Sequence, residues 1–133
     1  MNISFSIYSE KYLLNDPIEG RIDWNFPFLP RIGEEIGTHL LLKSLNPQDV
    51  YFLLDDDSQK KWDRKREDYD IYVQTHKELE EQEFSYLDPL YDIETYCLIQ
   101  WMYNVSFRIE NICWDDLPWK DNCIFMDIRI KDI

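Results

Sequence analysis

The sequence predicts an α+β fold: a small curled antiparallel β-sheet of five to six strands, a barrel or sandwich, with one long inserted α-helix packed on it. Three observations carry that prediction. The last third of the chain, Val105 to Ile130, alternates as two strands joined by a loop. A long amphipathic stretch, Ser58 to Glu83, interrupts the strand-like segments. No linker or internal repeat divides the 133 residues, so the chain is expected to be a single domain spanning 1–133, long enough for one core.

The elements follow in order. Ile3, Phe5 and Ile7 alternate with polar residues in a first strand, Asn2 to Tyr8. Asn15, Asp16 and Pro17 signal a turn, after which Ile18, Gly20, Ile22 and Trp24 form one face of a second strand, hairpin-paired with the first. In the segment that follows, Pro27 and Pro30 hold the backbone extended, and Phe26, Phe28 and Leu29 are expected to fold inward. Gly33 is placed to adopt positive φ ahead of a third strand, Glu35 to Lys43.

From Leu45 the pattern changes. Asn46 followed by Pro47 is a helix-start signal, although VYFLL also suits a strand. The long helix follows, with Trp62, Tyr69, Tyr72, Val73, His76 and Leu79 in one apolar stripe. Its bases (Lys60, Lys61, Arg64, Lys65, Arg66) come early and its acids (Glu78, Glu80, Glu81, Glu83) late, against the preference of the helix dipole, so tertiary packing must hold it. Asp88 and Pro89 can open a further helix, but Tyr96 to Tyr103 is rich in β-formers and is read as a strand. In the final hairpin Ile124, Met126, Ile128 and Ile130 share one face. Glu110 and Asn111 put two polar residues in a row, the signature of a β-bulge.

Composition narrows function. A hydrophobic fraction of 44% with only three glycines describes a packed globule rather than a disordered chain. The net charge of −13 disfavours nucleic acid and anionic membrane surfaces as partners, so the expected partner is a basic protein. No apolar run approaches the ~20 residues of a membrane span, and the first residues lack the charged and apolar regions of a signal peptide. Three cysteines, Cys97, Cys113 and Cys123, sit in apolar-patterned segments and suit a reducing, cytoplasmic location. Oligomeric state is left open.

Candidate chemistry is sparse. His39 and His76 are the two histidines and stand in no HxH or HExxH pattern, so no metal and no cofactor are expected. Asp55, Asp56 and Asp57 lack the central glycine and closing glutamate of an EF-hand loop and read as a solvated, helix-capping turn. No GxSxG or glycine-rich phosphate loop is present, and Asp23 and Glu110 read as outward-facing strand residues, so no catalytic residue is assigned. The basic run KKWDRKR is flanked by acids and reads as a solvated helix face.

The most suggestive stretch is the hairpin loop. Trp114 and Trp119 are costly to leave in water, and Asp115, Asp116 and Asp121 surround them with negative charge. That is the anchor-and-rim composition of a protein interface. The expected partner-binding residues are therefore Asp55, Asp56, Asp57, Trp114, Asp115, Asp116, Trp119 and Asp121. The leading expectation is a non-enzymatic acidic interaction module, in its most concrete form an immunity protein or inhibitor that caps a basic toxin or nuclease site. Two alternatives are an enzyme with a pocket at the mouth of the β core, lined by Trp24, Trp101 and Tyr103, and a self-associating structural protein.

Overall fold

A computed structural model describes residues 2–82, 89–115 and 123–133. The fold is α+β, with a four-stranded mixed sheet and five helices among the described residues. The expected five to six strands and the closed, curled form give way to an open sheet with strand order β2-β1-β4-β3.

Strand β1 (Asn2–Tyr8) pairs antiparallel with β2 (Ile18–Asp23), as its alternation predicts. Strand β3 (Val105–Asp115) pairs antiparallel with β4 (Cys123–Asp132), and the register slips between Ile109 and Asn111, where two polar residues stand together. The two hairpins join through a parallel pairing of β1 with β4, Ile7 opposite Ile128. This pairing makes the sheet mixed rather than antiparallel throughout.

One face of the sheet is buried. Ile3, Phe5, Ile7, Ile18, Ile22, Val105, Phe107, Ile109, Ile124, Met126, Ile128 and Ile130 all belong to the core. The opposite face carries Glu19, Arg21, Arg108, Glu110, Phe125 and Arg129, all exposed, so the helices cover one side only. Gly20 stands opposite Phe5, and a Cβ added there would lie 2.5 Å from Phe5 Cζ. The strand has glycine at this inward position because the phenyl ring of Phe5 fills the space. Gly20→Ala is expected to cost about 1–3 kcal/mol by overpacking. In a double-mutant cycle read by chemical denaturation, Phe5→Leu should recover much of that loss.

The helices are α1 (Thr38–Leu42), α2 (Pro47–Leu53), α3 (Asp56–Glu67), α4 (Tyr69–Glu81) and α5 (Ile93–Met102). Helix α2 starts where Asn46 and Pro47 announce it, and the Asn46 side chain accepts from the Gln48 and Asp49 amides. The expected strand Glu35 to Lys43 is not formed. Glu35 makes a single bridge to Arg108, and the chain then turns into α1.

The single long helix is two. The α3 ladder ends at Asp68, whose amide donates back to the Lys65 and Arg66 carbonyls, and α4 begins at the next residue. The division accounts for much of the charge order that opposes the dipole of a single helix. Asp56 and Asp57 occupy the first turn of α3, and Arg64, Lys65 and Arg66 its last. Each such placement is worth about 0.3–1 kcal/mol. Glu67 at the end of α3 and the late acids of α4 still run against the preference.

The expected strand Tyr96 to Tyr103 is instead helix α5, capped by the Asp92 carboxylate on the Thr95 amide. It is buried on nearly every side, with Tyr96, Cys97, Leu98, Ile99, Trp101 and Met102 all inside, and it contacts α1, α2, α3 and β3. A helix enclosed this fully has no polar face to reveal its period.

Candidate interaction surface

The two ends of the sheet have different chemistry. At one end, Asp132 stands opposite Val105 and ties the last strand to the loop after β1. Its carboxylate accepts from the Tyr12 hydroxyl and is 3.0 Å from Lys11 Nζ. Those bonds, Tyr12's first and Lys11's second, hold the Asp132 carboxyl below the usual range, and Asp132 in turn raises Lys11. Asp55 lies here too, its amide donating to the Tyr12 carbonyl at 2.8 Å. The Asp55 side chain caps α3 by accepting from the Ser58 amide, while Asp56 and Asp57 are exposed in the first helical turn.

Trp114 stands at the opposite end, nine residues along β3 from Val105, or about 30 Å away at the usual rise. The Asp55 to Asp57 turn and Trp114 therefore do not form one patch. Trp114 is 59% exposed, so it does not close the strand inside the core. Asp115 ends β3, and its side chain, with Asp116, Trp119 and Asp121, lies outside the described residues.

The Trp114 end also holds an apolar surface that the sequence reading misses. Trp114, Ile124, Ile3 and Ile22 form one row across the sheet, and Trp24 follows two residues after Ile22. From there the chain crosses to the β3 edge, which it meets in mid-strand, where the Gly33 amide donates to the Ile109 carbonyl and the Ile109 amide donates to the Glu34 carbonyl. Gly33 takes the expected positive φ, 91°, at that junction. Along this crossing Phe26, Phe28, Leu29 and Ile32 are exposed rather than folded inward, Phe28 at 51%. Pro30 and Trp24 are the buried members. Asp23 is exposed at this end, whereas Glu34 and Glu35 are exposed farther back along β3, beside Ile109 and Arg108, and Glu35 shares a cleft with Val105 and Asp132.

Elsewhere the other residues singled out from the sequence lie apart. Trp24 lines a cleft of about 460 Å³, Trp101 another of about 520 Å³, and Tyr103 two further clefts, so the three aromatics considered for a single pocket do not converge. His39 is exposed on α1. His76 is buried in the α4 stripe with Nδ1 3.6 Å from the Glu80 carboxylate. Among the described residues no group of three or more His, Cys, Asp or Glu gathers as metal ligands would. Burial pushes the Cys97 thiol up to about 11, with the Glu94 carboxylate adding to the shift, which keeps it protonated and unreactive at neutral pH. Cys113 is exposed and faces Phe125 across the hairpin, not Cys123. No helix among the described residues is long and apolar enough to cross a membrane.

No family model matches the chain, and no curated protein or solved structure gives a significant match.

Proposed function

We propose that the chain is a non-enzymatic acidic interaction module whose partner is a basic protein, and that it acts as an immunity protein or inhibitor capping the basic cleft of a toxin such as a nuclease. The observation that carries this reading is the coincidence of exposed apolar anchors, Trp114 above all, with a net charge of −13. Long-range attraction brings a cationic surface close, and the buried aromatic contact then sets how long the complex lasts. Asp23 supplies an acid at that end, and Asp115, Asp116 and Asp121 follow Trp114 in sequence.

The test is co-expression with the products of neighbouring genes, followed by co-purification at low and at physiological salt. A basic partner should be retained, with an association rate that falls as salt rises. Absence of any basic partner at both salt concentrations would end the proposal. Trp114→Ala should leave stability within about 0.5 kcal/mol of the parent, yet weaken binding to that partner by about tenfold or more. Thermal melting read beside calorimetric titration checks both halves. Unchanged affinity would remove Trp114 from the interface.

Self-association is a second use of the same exposed end, against which the like charge of two copies works. Sedimentation equilibrium at high concentration tests it, since a monomer throughout counts against self-association.

A further inference from the structure

We propose that the cleft beside the crossing segment receives an arginine or lysine side chain of that basic partner, held between aromatic rings and carboxylates. This inference rests on the interaction reading and gives it an anchor point. The cleft holds about 460 Å³ and is lined by Trp24, Phe26, Phe28, Glu34 and Glu35, by the apolar Ile36, Leu40 and Ile109, and by His39 of α1 and the Lys43 that caps it. A cationic side chain is the occupant that these walls favour. Ring faces carry negative charge density, and a guanidinium or ammonium within about 6 Å of a ring centroid is attracted to it.

The aromatic wall is built before any ligand arrives. Trp24 is buried, and its indole N–H donates to the Phe28 carbonyl at 2.6 Å, fixing the loop that carries the outer rings. Phe26 and Phe28 stack with centroids 5.4 Å apart, and each packs edge-on against Trp24. Both phenyl rings remain about half exposed, Phe26 at 48% and Phe28 at 51%, so they are available to a partner at little cost in reorganisation.

The carboxylates are available as well. Glu34 lies 3.8 Å from Arg31, and Glu35 lies 3.7 Å from Arg108, both exposed pairs. These separations exceed the 2.7–3.2 Å of a hydrogen bond, so each carboxylate keeps the capacity to accept from an incoming guanidinium. Arginine fits better than lysine, because its planar donors match a carboxylate while its face lies on a ring. Lys43 and His39 make their part of the lining less favourable to a cation than Glu34 and Glu35, whose exposed pairs with Arg31 and Arg108 an incoming guanidinium would have to share.

The test is titration of the intact protein at low salt with a capped peptide of alternating arginine and glycine, and with the same peptide in which citrulline replaces every arginine. The arginine peptide should bind and shift the Trp24 indole resonance, and citrulline should abolish both effects. Phe26→Ala/Phe28→Ala should weaken arginine-peptide binding roughly two- to fivefold, as expected for exposed cation–π contacts. Glu34→Gln/Glu35→Gln should weaken it by at least as much. The exposed positions of all four residues allow folding, which the melting curve verifies. If the double phenylalanine variant binds as tightly as the parent, the cleft is not the anchor, while the wider reading of an acidic module survives. If the parent binds no arginine peptide, the cleft proposal fails. A basic partner recovered by co-expression would still uphold the module.

Discussion

Ile128→Asp is expected to destabilise the fold severely, by more at neutral pH than in acid. Ile128 is fully buried at the centre of the sheet, opposite Ile7 on one neighbour and Ile109 on the other, so the substitution falls where the two hairpins join. Loss of the aliphatic side chain from such a site costs about 2–5 kcal/mol. An unpartnered buried carboxyl adds several more, against a total of about 5–15 kcal/mol for a domain of ordinary stability. The damage should depend on pH in a defined direction. Burial would raise the new carboxyl's folded pKa above its unfolded value of about 3.9. The neutral form is then the better tolerated, so the extra penalty of Asp is smallest below the unfolded pKa and grows as pH rises through the folded pKa. Ile128→Asn carries the polar burden without that titration. Denaturant midpoints of the two variants should therefore converge in acid and separate toward neutral pH. An Asp variant that melts like the parent would place residue 128 on the solvent face and invert the register of the sheet.

That experiment concerns the part of the fold most legible in the sequence. Both hairpins are half-buried, so Ile3, Phe5 and Ile7, and later Ile124 to Ile130, alternate cleanly, and even the bulge at Glu110 and Asn111 shows as a slip of phase. Their mutual arrangement was not legible, because the parallel pairing of β1 with β4 joins residues over 100 positions apart and leaves no local trace. Helix α5 was missed for the opposite reason to that which made the strands clear. With Tyr96 to Met102 buried on almost all sides, its apolar run carries no period, and β-forming residues then favoured a strand. The division at Asp68 was hidden by an apolar stripe that continues in phase from Trp62 to His76. It was written in the charges, since a run of bases followed by acids marks the end of one helix and the start of another. At the candidate surface, Trp114 and its acids stood out by composition. Phe26 and Phe28 were misplaced because large apolar side chains are inside only as a tendency, and an exposed pair is the more informative case.

The second large effect is expected at Trp62, and the size of the replacement should matter more than its polarity. Trp62 is 1% exposed on α3, with its ring 5.6 Å from Tyr51 in a T-shaped contact, and it belongs to the same core as the sheet residues. Its indole N–H is buried and has no acceptor among the described residues. Trp62→Ala removes the whole ring and should cost about 3–5 kcal/mol, a fall of roughly 10–20 °C in melting temperature for a domain of this length. Trp62→Phe leaves a smaller void and also removes the unpartnered donor, whose burial costs about 1–3 kcal/mol. The two changes oppose each other, so Phe should lie within about 1.5 kcal/mol of the parent. Denaturant titration of the three proteins separates the contributions. A phenylalanine variant as unstable as the alanine one would mean that the indole N–H meets an acceptor in solution, and that Trp62 is held by a hydrogen bond as well as by packing.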